Sequence, residues 1–342
     1  MSNRAFIVGV SGLALTGEER AFMRDEKPWG FILFKRNVDT PAQVAALVSD
    51  LRGSVGHPDA PVLIDQEGGR VQRLGPPHWP SYPPGAAFGK LYSGNTAAGL
   101  RAAYLSARLI AADLNALGIT VDCLPLADVP VAGADAVIGD RAYGTTPEKV
   151  AEIARAVTQG LEDGGVLPVL KHIPGHGRAT ADSHARLPTV DTPCEELAKS
   201  DFAAFRALAD LPMAMTAHVV FSALDAAQPA TTSATMISQV IRGTIGFQGL
   251  LMSDDVSMNA LSGSIAERTA AIVSAGCDVV LHCNGRMDEM RAVAEKTPEL
   301  AGEALVRANR ALASRKAPKT FDSAAGRGEL DALIARAGNL IA

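Results

Sequence analysis

Val166-Leu167-Pro168-Val169-Leu170-Lys171-His172-Ile173-Pro174-Gly175-His176-Gly177 begins as an apolar run and ends as a cluster of proton carriers. A short, nearly all-apolar run suits a strand of a parallel sheet covered on both faces, where a half-exposed strand would alternate. The polar groups come at its C-terminal end, with Asp182-Ser183-His184 close behind. Lys171 and three of the seven histidines fall within fourteen positions. That density of titratable and donor groups at a strand end is the mark of an active site rather than of a core or a solvated face.

Similar runs recur on both sides of this one. Strands are predicted at Phe6 to Val10, Phe31 to Phe34, Val62 to Asp65, Ile119 to Cys123, Val166 to Lys171, Met213 to His218, Leu250 to Asp254 and Val279 to Cys283. Helical patterns separate them at Pro41 to Leu51, Ala97 to Leu117, Pro147 to Leu161 and Ser264 to Ala275, with Met287 to Lys296 and Glu299 to Ala313 after the last strand. Thr40-Pro41 and Thr146-Pro147 are N-cap and first-turn signals. Strands alternating with helices predict an α/β fold, a single-domain (β/α)8 TIM-type barrel, with a doubly wound open sheet as the alternative. Residues 1–342 read as one domain. Ser314 to Lys319 looks like a linker and Glu329 to Ile341 like a terminal helix, so about 314–342 forms a linker and C-terminal helix.

Composition narrows the class. The chain has 342 residues, 47% hydrophobic and 20% charged, with a net charge of -5, which gives no support to a nucleic-acid partner. Its four cysteines form no CxxC pair, so free thiols in a reducing compartment are expected. Cys277 and Cys283 flank a strand and read as core thiols. The N-terminus runs straight into the first strand, and no apolar run approaches a membrane span. A cytoplasmic location, no membrane partner and a monomer are the expectations.

In a barrel the chemistry sits at the C-terminal ends of the strands. Those ends carry Lys35-Arg36-Asn37, the stretch Asp65 to Arg73, Asp122 to Asp128 followed by Gly139-Asp140-Arg141, Lys171-His172, Thr216-Ala217-His218, Ser253-Asp254-Asp255, and His282-Cys283-Asn284. One polar group at a loop start is ordinary. Their recurrence at one end of most strands is the signal. Of the acidic pair Asp254-Asp255, alternation sends one side chain to each face, and the sequence does not say which points inward.

Four stretches resemble family 3 glycoside hydrolases: Asp65-Gln66-Glu67-Gly68-Gly69-Arg70-Val71-Gln72-Arg73, Ile138-Gly139-Asp140-Arg141, Lys171 to Gly177 with Asp182-Ser183-His184, and Ser253-Asp254-Asp255-Val256-Ser257-Met258. They stand in the family's order, and the closest resemblance is to the bacterial cytoplasmic β-N-acetylglucosaminidases of peptidoglycan recycling. The second α/β domain of many family members does not fit in this length. The resemblance implies retaining hydrolysis of terminal β-GlcNAc from muropeptide fragments, GlcNAc on 1,6-anhydro-N-acetylmuramic acid with or without peptide, through a covalent glycosyl-Asp intermediate. It selects Asp254 as the nucleophile, because the family places that group directly after Ser or Thr. It makes His184 the general acid/base, oriented by Asp182. This pairing is chemically apt, since a histidine titrates near neutrality and a carboxylate can fix its tautomer. The implied sugar-binding set is Asp65, Arg73, Arg141, Lys171 and His172, with no metal and no cofactor.

Other groups get lesser roles. His176 belongs to a turn whose glycines, Gly175 and Gly177, adopt conformations closed to other residues. Arg70 is expected to pair with a loop acid, and His218 and His282 to be structural or outer-shell groups. The loop from His172 to about Pro193 is long for a compact barrel and is expected to act as a lid. Rival readings are a metal-dependent barrel hydrolase using His172, His176, His184 and Asp254, a phosphorylase or β-glucosidase of the same family, and a sugar-binding protein without activity.

Overall fold

The computed structural model describes residues 3–183 and 185–339. Eight parallel strands close on themselves in the order β1-β8-β7-β6-β5-β4-β3-β2. They are β1 (Arg4–Val8), β2 (Pro28–Leu33), β3 (Val62–Ile64), β4 (Val121–Asp122), β5 (Leu167–Ile173), β6 (Met213–Thr216), β7 (Leu250–Asp255) and β8 (Val279–His282). Each is one of the eight predicted runs, and the closure excludes the open-sheet alternative. Several strands end earlier than predicted, and at some of these ends a polar side chain takes over a backbone partner. Beyond Ile64, for example, the next inward donor, Gln66 N–H, goes to Asp122 Oδ1 at 3.0 Å.

Alternation splits the apolar strand residues into two cores. Ile7, Ile32, Leu63, Val121, Leu167, Val169, Met213, Met215, Leu250, Met252, Val279 and Leu281 form one cluster inside the barrel. Phe6, Val8, Phe31, Leu33, Val62, Ile64, Leu170, Leu251 and Val280 face the other way, against the helices. At the N-terminal end the interior cluster includes Leu300, Ala308 and Ala311, from the segment around helix Gly302–Ala313. That helix plugs the barrel from below and leaves the opposite end for a cavity.

The helices start where the sequence signals them, with differences. Helix Pro41–Val55 has Thr40 Oγ1 accepting from Gln43 N–H at 3.3 Å. Helix Pro147–Asp163 begins at its proline, but the Thr146 hydroxyl makes no capping bond. Helix Gly17–Glu26 was not predicted, although Thr16 and Glu19 form a complete capping box before it. Gly85–Gly94, the two short helices Cys194–Lys199 and Asp201–Arg206, and a π-helix at Met236–Thr244 also lacked a clear periodic signal. The C-terminal helix is Ser323–Asn339, starting earlier than expected. The segment before it is anchored: Lys319 N–H donates to Asp163 O at 2.8 Å, and Arg108 stacks on the Phe321 ring. Among the described residues no helix is long and apolar enough to cross a membrane.

Candidate active site

The inward alternation continues past the apolar layers into polar ones. On β5, Leu167 and Val169 point into the barrel, and Lys171 follows them. On β7, Leu250 and Met252 are followed by Asp254. These top-layer side chains line a cavity of about 450 Å³ at the C-terminal end of the barrel. Asp65, Arg73, Arg141, Lys171, His172, Asp182 and Asp254 all line it. Seven of the eight site residues named from sequence therefore converge. The eighth, His184, lies outside the described residues.

Consecutive residues reach the cavity where strand registers slip. The β5–β6 pairing shifts between Lys171 and Ile173, and the β7–β8 pairing shifts between Met252 and Asp255. A slip of this kind re-aims side chains that strict alternation would send to opposite faces. His172 thereby joins Lys171 at the cavity wall.

One side of the cavity is an ion network. Lys171 Nζ, almost wholly buried, lies 2.9 Å from Asp65 Oδ1 and 2.6 Å from Glu67 Oε1. Asp65 Oδ2 accepts from Arg73 at 3.0 Å, and Arg141 grips Glu67 through two bonds of 2.8 and 2.9 Å. Burial would raise the Glu67 carboxyl, but Lys171 and Arg141 outweigh it and bring it down to about 2. Asp65 is lowered in the same contest, by Lys171 and Arg73. Burial would lower Lys171, and the two carboxylates instead hold it above its ordinary range. The network thus sets three cations, Lys171, Arg73 and Arg141, against two carboxylates, Asp65 and Glu67.

Asp128 organises the next wall. Its Oδ2 lies 2.7 Å from His172 Nδ1, and its Oδ1 accepts from His176 N–H at 2.6 Å. This fixes the His172 ring with Nε2 left for other partners. His176 is buried, with Nε2 3.0 Å from Ser183 Oγ. Burial and then the neighbouring His172 lower its pKa to about 4, so it is neutral across the ordinary pH range. Gly175 has φ of 140°, as expected for its turn. Gly177 is needed for a different reason than conformation: a Cβ there would stand 2.2 Å from Val129 O.

Asp254 and Asp255 both line the cavity, but their carboxylates are engaged differently. Asp255 Oδ1 accepts from Ser257 N–H at 3.0 Å and Cys283 N–H at 3.1 Å, and its Oδ2 from Ser257 Oγ–H at 2.6 Å. Its carboxylate is spent on stitching β7 to β8. Asp254 lies at the cavity end of β7, with Oδ1 accepting from Asp255 N–H at 2.8 Å.

Arg70 pairs with Asp140 at 3.0 Å, as expected. His282 is buried against Glu289 at 3.0 Å. All four cysteines are free thiols; Cys277 is buried, whereas Cys283 lines the cavity instead of lying in the core. Glu67, Asp128 and Thr216 were not singled out as site residues. Glu67 stood inside a quoted motif and Asp128 at a quoted strand end, but nothing in the sequence told their partners. Among the described residues no group of three or more His, Cys, Asp or Glu side chains is placed to hold a metal ion.

The family model for the N-terminal domain of glycosyl hydrolase family 3 matches residues 7–311. A β-hexosaminidase of Bordetella avium is 37% identical over 282 residues, 81% of this chain and 80% of that protein. The structure of NagZ from Neisseria gonorrhoeae in complex with N-trifluoroacetyl-D-glucosamine superposes with a TM-score of 0.84 at 29% identity, covering 100% of this chain and 99% of that one. The family 3 β-N-acetylglucosaminidase from a Paenibacillus superposes with a TM-score of 0.83 at 30% identity over 96% of this chain, which spans 66% of that longer chain.

Proposed function

The chain belongs to glycosyl hydrolase family 3 and is a β-N-acetylhexosaminidase, and on that premise we propose that it is a retaining exo-enzyme that frees terminal β-GlcNAc from muropeptide fragments in the cytoplasm. The observation that carries the mechanism is the placement of Asp254, at the cavity end of β7 with its carboxylate held by Asp255 N–H, in the cavity that Asp65, Lys171, Arg73 and Arg141 also line.

The sugar enters non-reducing end first. The Asp65 carboxylate accepts from its hydroxyls, while Lys171, Arg141 and His172 donate. Asp254 attacks the anomeric carbon as His184 gives its proton to the glycosidic oxygen, and the aglycone leaves as an alcohol. A covalent glycosyl ester of Asp254 remains. His184 then takes a proton from water, the hydroxide adds to the anomeric carbon, and the Asp254 carboxylate departs. Asp182 orients the His184 ring in both steps. Asp254 attacks as the carboxylate, in a cavity it shares with Arg73, Arg141 and Lys171.

The test is release of p-nitrophenol from the β-GlcNAc and β-glucose glycosides, with and without EDTA and phosphate, for wild type and Asp254→Ala. GlcNAc-selective turnover insensitive to both additives, lowered at least about 10³-fold in Asp254→Ala, is expected. Turnover that requires phosphate, or that survives in Asp254→Ala, would overturn the reading. The muropeptide disaccharide is then compared with chitobiose for aglycone preference.

A further inference from the structure

β6 ends at Thr216 and runs into Ala217-His218, and the mechanism above gives the polar side chains of Thr216 and His218 no task. All are buried. Asp254 N–H donates to Thr216 Oγ1 over a long 3.4 Å. Thr216 Oγ1 lies 2.8 Å from Thr231 Oγ1, which lies 2.8 Å from His218 Nδ1. His218 Nε2 lies 2.9 Å from the carbonyl oxygen of Asp255. The path leaves the chain at Asp254 N and returns to it at Asp255 O.

The directions of these bonds follow from chemistry. A carbonyl oxygen only accepts, so His218 carries its proton on Nε2. In that tautomer Nδ1 accepts, and the Thr231 hydroxyl supplies the proton, which Ala217 O at 2.9 Å also attracts. Thr216 then donates to Thr231 and accepts from Asp254 N–H. Every donor has an acceptor, and the ring is closed. The Cys277 thiol touches it from outside, at 3.7 Å from Thr231 O.

What the ring encloses matters. Between its two anchor atoms lies the peptide joining Asp254 to Asp255, and the N–H of that peptide is the group holding Asp254 Oδ1 at 2.8 Å. If the peptide rotates, the carboxylate loses this hydrogen bond and its alignment changes. On the opposite side the Asp255 carboxylate is tied to Cys283 N–H, just past the end of β8. The peptide is thus tethered from both sides.

We propose that Thr216, Thr231 and His218 are positioning residues for the nucleophile, forming a buried hydrogen-bond ring that fixes the Asp254–Asp255 peptide and through it the Asp254 carboxylate. None of the three touches the sugar. The inference rests on the reading of Asp254 as the nucleophile. The ring acts on chemistry and leaves sugar binding alone, because Asp65, Lys171, Arg141 and His172 stand on other strands and loops.

The experiment compares Thr231→Val, which keeps the shape and removes the hydroxyl, with Thr231→Ser, which keeps the hydroxyl. Thr216→Val, which cuts the ring at its other hydroxyl, is the second variant should Thr231→Val fold poorly. For each, kcat and KM on p-nitrophenyl β-GlcNAc, the inhibition constant of free GlcNAc and the thermal midpoint are measured. Misplacing a reacting group by about 1 Å costs up to roughly 10²-fold. The valine variants should therefore lose about 10- to 100-fold in kcat, with KM and the GlcNAc inhibition constant within about 3-fold of wild type. Thr231→Ser should stay within about 3-fold in kcat. The same valine substitutions are then placed on Asp254→Ala, assayed with azide as a small external nucleophile. There the penalty should vanish, because the ring has no carboxylate left to position. Equal losses in kcat and in GlcNAc binding, or a full penalty on top of Asp254→Ala, would make the ring a general structural element and overturn the proposal. A wild type without activity, or an Asp254→Ala variant with wild-type activity, would instead bring down the functional reading on which it rests.

Discussion

The two walls of the cavity are built in opposite ways. Asp254 sits at a strand end, its carboxylate on a backbone N–H, its own N–H on Thr216 of β6, and the next residue's carboxylate on Cys283 N–H just past β8. Asp182 sits in a segment without regular structure between β5 and the short strand Thr189–Val190. The described ties of that segment run mostly to loops and side chains rather than to barrel strands. Ser183 O accepts from Ala260 N–H at 3.2 Å, Ser183 Oγ meets His176, and Arg178 at its base pairs with Asp201 at 2.6 Å and Glu196 at 2.9 Å. A nucleophile must hold one line of attack, so rigidity serves it. In the proposed mechanism the acid/base group first gives a proton to the leaving aglycone and then takes one from water, so it serves two partners in turn.

If that contrast is right, the largest difference shows up in leaving-group dependence. Asp182→Asn should lower kcat/KM on p-nitrophenyl β-GlcNAc by roughly 10²-fold, through loss of proton donation. With 2,4-dinitrophenyl β-GlcNAc, whose leaving group needs little protonation, the loss in kcat/KM should shrink to a few fold. Asp254→Ala should stay equally crippled on both. Equal losses for Asp182→Asn on the two substrates would mean that the loop wall also serves the attack, and the division of labour would fail.

How much of this was legible in the sequence follows the same line. The eight strands were readable because parallel strands are apolar on both faces, so each is a run that stands out from its loops. The wall carried by strand ends was readable for the same reason: Asp65, Lys171 and Asp254 are simply the residues where those runs turn polar. Pairings were not readable. Lys171 lies between Asp65 and Glu67, and Asp128 serves two histidines, only because the barrel closes and brings distant strand ends together. Nor could the sequence tell that both Asp254 and Asp255 would line the cavity, with the Asp255 carboxylate taken up by Ser257 and Cys283 N–H. Likewise Thr231 is separated from its ring partners by a chain excursion with no periodic signal. The short helices Cys194–Lys199 and Asp201–Arg206 are too brief to show a helical period, so the far side of the loop was unreadable too.

A second prediction probes the rigid wall away from the nucleophile. Glu67 touches no sugar in the proposed mechanism, yet it holds both Lys171 and Arg141. Glu67→Gln keeps the shape and removes the charge. KM should rise about 10-fold as the two cations lose their common partner, with a smaller change in kcat. The same variant has a signature in acid. A carboxyl lowered from its unfolded value of 4.5 to about 2 gives stability that is complete above pH 4.5 and lost as pH falls toward 2. The wild-type thermal midpoint should therefore fall steeply across that window, and Glu67→Gln should flatten the fall, leaving the part due to Asp65. An unchanged slope would mean that Glu67 is not the buried charge described.

The smallest expected effect tests how the loop wall is held. His176 is neutral and buried, and its Nε2 has Ser183 Oγ as partner. Ser183→Ala removes that partner and leaves a buried ring nitrogen without it, at a cost of about 1 kcal/mol. In a chain of this size that amounts to roughly 2 °C in the thermal midpoint. If the bond sets where the loop rests, kcat should fall a few fold on p-nitrophenyl β-GlcNAc and hardly at all on the dinitrophenyl glycoside, since Ser183 then acts through the same proton-donating side as Asp182. If the bond were no more than core packing, the midpoint would drop and both substrates would be cleaved at wild-type rates. The two substrates read side by side thus separate a loop that is merely attached to the barrel from one whose attachment sets its chemistry.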